Sequence, residues 1–356
     1  MIRGSYLECM KNSNQPGLFD QQDRMTKLNS LKDPLISIGE TINFEAFRPI
    51  LETATLQESY SKGGRPAFDR VMLFKGLVLQ KLYGLSDEQL EFQINDRLSF
   101  MRFLGLQLSD KVPDQKTFWF FRDSLTKTGV IDEAFVLFRD RLRKEGYILQ
   151  EGKIIDASLV KAPIQRNSRE ENAQIKEGNI PEDWDENKRR QKDVDANWTS
   201  KHGKHHYGYK NHIKIDAKSK LIDEFEVTQA NVRDGQVLED LLDETDVNQP
   251  VWAHSAYDSV ETRKMLRRKN IGCRINKKGA RYVTLTKKQM EANRFKSRTR
   301  ARVEHVFAAL RNRIRGLTVR CVGLARSTAD ITLQNLVYNI TRVTYIKQLE
   351  VVRLPI

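Results

Sequence analysis

Two carboxylates stand out by where they sit. Glu304 is the single acid in Arg294–Arg315, a stretch with eight Lys/Arg residues, and Asp156 is the single acid in the apolar run Lys153–Val160. At about 100° per residue, Val303, Val306, Phe307, Leu310 and Ile314 fall on one arc, which predicts an amphipathic helix. Arg300, Glu304, Arg311 and Arg315 fall on a second arc beside it, so the glutamate sits at the edge of the core with cations one and two turns away. A carboxylate held this way on a DNA-attracting face suggests a metal ligand for phosphoryl transfer. The plainer alternative is an intrahelical ion pair that keeps the helix soluble. Asp156 lies between Ile155 and Ala157 in a strand-like run, where a buried, unpaired carboxylate costs on the order of several kcal/mol. It is therefore a site candidate, unless it faces solvent from an edge strand.

Charge says what such a site would act on. The chain has 356 residues, 39% hydrophobic and 30% charged, with a net charge of +14. Between Glu261 and Arg320 there are about twenty Lys/Arg residues against three acids. One-sided charge of that density over an ordered segment implies a polyanionic partner, here a nucleic acid. No apolar run is long enough to span a membrane, and Met1–Pro16 carries no apolar signal core. Cys9, Cys273 and Cys321 are far apart and read as thiols in a reducing cytoplasm. His202, His205 and His206 lack a second ligand pair and read as a solvated loop rather than a zinc site.

The elements that must position these residues follow from pattern. Residues 1–31 read as a loose leader and residues 32–130 as an all-α module suited to DNA binding or to scaffolding. Within it, Arg70–Tyr83 ends at Gly84, Ser86 opens a capping box with Gln89, and Asp114 caps a helix carrying Phe118, Phe121 and Leu125. Ser61–Pro66 forms a flexible basic arm that brings Arg65 to DNA. Residues 150–346 read as an α/β domain with a polar insertion at about 162–206, expected as a long surface excursion, ordered throughout or in part only once DNA binds. Strands are expected at Lys153–Val160, Tyr209–Asp216, Leu221–Thr228, Val251–Ala253 and Gly272–Asn276, with helices at Gly235–Glu244 and Ser259–Lys269. The sum is a mixed α/β layer with flanking helices.

Several local motifs, in order, resemble one family. Ile154-Ile155-Asp156-Ala157-Ser158 resembles the first catalytic motif of bacterial insertion-sequence DDE transposases, in particular the large family numbered five. His206-Tyr207-Gly208-Tyr209-Lys210-Asn211-His212 and Val227–Asp234 resemble its second-strand signature and the segment after it. Arg300–Phe307 resembles its third catalytic motif, and Pro113–Thr117 with Phe121-Arg122 its N-terminal helical module. The likeness runs from about Gly17 to Ile346.

That resemblance implies an RNase H-like catalytic domain that hydrolyses a phosphodiester at an element's ends and joins the freed 3′-hydroxyl to target DNA. It implies two Mg²⁺ (or Mn²⁺) ions, a homodimer binding terminal inverted repeats, and a cytoplasmic, nucleoid-associated bacterial protein. The catalytic and metal positions map to Asp156, His254 and Glu304, and the DNA contacts to Arg300, Arg311, Arg315 and Lys210 beside Arg65. Two positions depart from the pattern. Arg311 stands where the family has Lys, and His254 stands where it has its second aspartate, with Asp258 a poor substitute four residues on. Imidazole suits Mn²⁺ better than Mg²⁺, and losing a carboxylate ligand predicts impaired cleavage. A non-catalytic DNA-binding protein or repressor of the same descent is the rival expectation.

Overall fold

Helices fill the first part of the chain in the computed structural model, which describes residues 17, 19–31, 33–54, 67–149, 151–201, 203–279 and 283–353. They are α1 (Asp20–Ser30), α2 (Pro34–Thr41), α3 (Arg48–Thr53), α4 (Arg70–Tyr83), α5 (Asp87–Asp96), α6 (Leu98–Leu104), α7 (Gln115–Thr128) and α8 (Val130–Lys144). The expected leader is thus helical over Asp20–Ser30, and the helical segment runs on to Lys144. The expected punctuation is in place. Asp69 caps α4, Gly84 ends it at φ 63°, Ser86 and Gln89 form the capping box of α5, and Asp114 caps α7. Helix α4 buries Val71, Leu73, Phe74, Leu77, Val78 and Leu79 almost completely, each worth about 1.5–3 kcal/mol of transfer. A helix buried all round is a scaffold rather than a groove-reading element. The arm at 61–66, with Arg65, lies outside the described residues.

The sheet follows: β1 (Lys153–Lys161), then α9 (Arg169–Lys176), α10 (Glu186–Gln191) and β2 (Asn197–Lys201) within the polar insertion, then β3 (Lys204–Asp216) and β4 (Ile222–Gln229). After these come β5 (Pro250–Ala253), α11 (Val260–Arg268), β6 (Gly272–Cys273), α12 (Lys287–Arg300), α13 (Arg302–Asn312) and α14 (Leu324–Arg353). The insertion carries two helices and a strand that pairs with β3, which starts five residues before its expected first residue. Gly235–Glu244 is not a helix. It holds only short 3₁₀ turns at Asp234–Gln236 and Glu244–Asp246, because Asp243 and its neighbours bond locally instead of continuing a helical ladder.

Strand order is β2-β3-β1-β5-β6, with β4 on the same edge of β3 as β2. Strand β1 runs antiparallel to β3 and parallel to β5, the mixed arrangement expected of an RNase H-like sheet. Gly208 makes the junction possible. At φ 143° it pairs with Lys161 on one side and Asn197 on the other, and a Cβ there would lie 2.2 Å from the Val160 carbonyl oxygen.

Side-chain alternation sends Ile154 into one core and Ile155 into another. The larger core is continuous from Leu35 in α2 through Phe74, Phe118 and Phe135 to Ile213 in β3 and Leu336 in α14. Helix α14 joins the two halves. It packs on α8, α2 and α4 and reaches the sheet through polar side chains. Asn339 takes the backbone N–H of Ile222 and donates to its carbonyl, both at 2.8 Å, and Asn211 donates to Asn335 at 2.9 Å. Buried amides satisfied on both sides fix the register of helix against sheet.

Candidate active site

Strand pairing brings two of the three sequence candidates together. Ile155 in β1 lies beside Ala253, the last residue of β5, so Asp156 and His254 follow directly from neighbouring chain positions. Strand β5 ends there because the His254 Nδ1 accepts the Ala256 N–H at 3.3 Å and caps a short 3₁₀ turn, leaving the exposed ring edge free. The third candidate comes from the helical stretch 294–315, which is two helices and not one. It breaks at Ala301, where the Glu304 N–H bonds to the carbonyl three residues back. No glycine or proline lies near the break to announce it. Val303, Val306, Phe307 and Leu310 are buried as expected, and Ile314 is buried just beyond the helix end.

The bend aims Arg300 at Asp156. Arg300 Nη1 donates to Asp156 Oδ2 at 2.6 Å and lies 3.7 Å from Glu304 Oε1. The other Asp156 oxygen accepts the Ala157 N–H at 2.9 Å. Both partners are mostly buried, with side chains 19% and 15% exposed, whereas Glu304 is 63% exposed. Burial pushes the Asp156 carboxyl above the usual range, a rise that the Ala157 N–H and the Arg300 charge oppose.

The remaining candidates sort clearly. Arg311 and Arg315 are exposed and no ion pair engages them among the described residues. Lys210 is not available to DNA. Its ammonium donates to the Val232 carbonyl at 2.7 Å and to Asp234 at 2.8 Å, with a side chain 16% exposed. Asp258 is engaged too, with Arg263 Nη2 at 2.6 Å and the Lys278 N–H at 2.8 Å.

Other residues at this end of the sheet escaped sequence reasoning. Tyr257 is buried with its hydroxyl unpartnered, and burial with nearby Asp234 and Asp156 pushes its pKa well up. His212, opposite Ala157, is fully buried, with Nε2 2.9 Å from the Thr228 hydroxyl. Behind β1, Lys153 pairs with Asp223 at 3.0 Å and Lys214 with Asp246 at 2.8 Å, while Arg143 bridges Asp223 and Asp243. The signal for that network was charged residues inside strand-like apolar runs; nothing in spacing named their partners.

Comparison with known proteins decides the family. Residues 149–340 match the model of a family described as the transposase DDE domain, and residues 23–124 match one described as a transposase domain. The chain is a DDE transposase by family. One solved structure is also similar, a piggyBac transposase synaptic complex with hairpin DNA, at 12% identity and a TM-score of 0.44, over 89% of this chain and 75% of that one. A likeness that loose adds no weight.

DDE transposases are DNA-cleaving and strand-joining enzymes that use divalent metal ions. The side chains of this transposase do not fit that ion as they stand. Among the described residues no three His, Cys, Asp or Glu side chains converge as ligands. One oxygen of Asp156 is already neutralised by Arg300, and one His254 nitrogen is used in capping the turn. A hard dication wants several anionic oxygens, and here a guanidinium already holds the Asp156 carboxylate.

Proposed function

We propose that this transposase binds double-stranded DNA at the terminal inverted repeats of its element, as a homodimer holding two ends, in the bacterial cytoplasm on the nucleoid. We propose further that its cleavage and strand transfer, which in the family would rest on two Mg²⁺ or Mn²⁺ ions, are impaired in this chain. The observation that carries this is His254 just past the end of β5, next to the strand that carries Asp156, where a second carboxylate would complete the family's acidic set. An imidazole offers one neutral nitrogen where an aspartate offers two anionic oxygens. Asp156 and Glu304 keep the positions of the first and third acids. Arg300 balances them both, and Arg311 and Arg315 offer exposed cations for phosphate. A region with twenty cations against three acids supplies the DNA affinity.

The second reading, a DNA-binding protein or repressor without cleavage activity, is favoured by the same His254 and by the lack of converging ligands among the described residues. Nicking of labelled repeat-end duplex separates the two. His254→Asp is expected to cut in Mg²⁺ or Mn²⁺ while the chain as it stands does not. Cutting by the unaltered chain that survives Asp156→Ala would sink the site assignment, and absence of cutting by His254→Asp would favour the repressor.

A further inference from the structure

A cleft of about 690 Å³ opens between α4, α5 and α7 on one side and residues 314–326 with the start of α14 on the other. Six cations and three acids line it. Each acid already has a partner in the cleft: Asp87 holds Arg122 at 2.7 Å, Asp123 holds Arg326 at 3.1 Å, and Asp330 holds Lys81. Arg190 pairs with Glu186 on its own helix. Two exposed cations remain, Arg315 and Arg320, for which no acid lies within ion-pair distance among the described residues. Both belong to the same short connection between α13 and α14.

That connection is strained and firmly held. Arg315 and Leu317 have φ of 49° and 61°, in the left-handed region that costs a non-glycine residue about 1–3 kcal/mol. The surroundings enforce it. The Leu317 N–H bonds to Gln334 Oε1 at 3.2 Å, the Leu317 carbonyl accepts the Lys161 N–H at 3.0 Å, and the Val319 N–H bonds to the Lys161 carbonyl at 2.9 Å. The Arg315 side chain then crosses Gly84 so closely that a Cβ on that glycine would lie 2.5 Å from its Cδ. Backbone distortion held in place by three bonds delivers two unpaired guanidiniums to one cleft, with the half-exposed indole of Trp119 on its wall. Guanidinium forks of this kind match phosphate geometry.

We propose that this cleft seats the phosphodiester backbone of the bound DNA through Arg315 and Arg320, away from the cleavage centre. The proposal rests on the DNA-binding reading above and adds a place to it. Lys161, where the strained connection docks, is five residues beyond Asp156 on β1. At 3.3 Å per residue that is about 16 Å, roughly five base-pair steps of duplex. One duplex with a phosphate near Asp156 therefore has another within reach of the cleft, and the two contacts together fix its direction across the sheet.

The test uses the full chain, a labelled duplex of about 30 base pairs, and binding followed by anisotropy from low to moderate salt. The double variant Arg315→Gln/Arg320→Gln is expected to flatten the dependence of log affinity on log salt by about two, the release of two phosphates' counterions. Duplex is also expected to change the part of the tryptophan emission that Trp119→Phe removes, and the double variant should lose that change. Lys27→Gln/Lys144→Gln, which removes two exposed cations from α1 and α8, should keep it. An unchanged salt slope in the Arg315/Arg320 variant overturns the proposal and leaves the DNA-binding reading intact. So does a Trp119 response to millimolar inorganic phosphate with none to duplex, which would make the cleft a free-anion site. If the unaltered chain shows no salt-dependent binding to duplex, the proposal and the DNA-binding reading fall together.

Discussion

Arg300 stands between two carboxylates, 2.6 Å from Asp156 and 3.7 Å from Glu304, with its Nε buried and unpartnered among the described residues. Without that guanidinium the Asp156 carboxylate would be a largely buried charge with no cation on it, and without the carboxylate the guanidinium would keep only the exposed Glu304 at 3.7 Å. The two should therefore be strongly coupled in stability. A double-mutant cycle of Asp156→Asn and Arg300→Gln, read by urea unfolding without metal, is expected to give a coupling of about 1–3 kcal/mol. A coupling near zero would mean that the pair does not form in solution.

His254 also offers a clean comparison, because its role in the fold can be kept while its chemistry changes. Its Nδ1 caps the turn at Ala256, and an aspartate carboxylate makes the same cap at least as well. His254→Asp is expected to unfold within about 0.5 kcal/mol of the original chain when metal is absent. Adding Mn²⁺ should then raise the melting temperature of His254→Asp and leave that of the original chain where it was. Equal stabilisation of both, abolished in each by Asp156→Asn, would show that the present side chains do hold the ion.

Lys210 illustrates how a cation on a basic protein can be misassigned. Its ammonium is committed to the Val232 carbonyl and Asp234, and so ties β3 to the turn that packs on Tyr257. Lys210→Met is expected to lose about 1–3 kcal/mol of stability, the cost of leaving Asp234 unpaired. The slope of DNA affinity against salt should not move. A slope reduced by about one with unchanged stability would return Lys210 to the DNA contacts.

These cases show where the sequence is legible. Caps and periodicities are local, so Gly84, Ser86 and Asp114 could be placed to the residue, and the apolar arc from Val303 to Leu310 is buried as its spacing required. The candidate acids Asp156 and Glu304 stood out because each is the lone acid of its stretch. What bonds to them did not. The break at Ala301 that aims Arg300 carries no glycine or proline, and Asp234, Asp223 and Asp246, which hold Lys210, Lys153 and Lys214, lie 24, 70 and 32 residues further along the chain. Asp243 and Asp246, at and just past the end of the segment expected to be helical, serve Lys214 and Arg143, which no spacing in the sequence announces.

The sheet that carries Asp156 should also weaken in mild acid, through His212. This imidazole is fully buried opposite Ala157, and burial lowers its pKa from 6.5 to about 4. The unfolded chain therefore takes up a proton between these values that the folded chain refuses. The contribution of a neutral buried His212 is present above pH 6.5 and is lost as pH falls toward 4, amounting to about 2 kcal/mol between pH 7.5 and pH 5. Raised carboxyls nearby, Glu224 and Glu226 among them, titrate with the opposite sign, so the total alone cannot isolate the imidazole. The difference between the original chain and His212→Gln can, because the carboxyls are common to both. Urea unfolding of the pair at pH 7.5 and pH 5 is expected to show the original chain losing about 2 kcal/mol more than the variant. Equal losses would mean that His212 is hydrated or charged in the folded protein, and that the strand beside Asp156 is less closely packed than its geometry indicates.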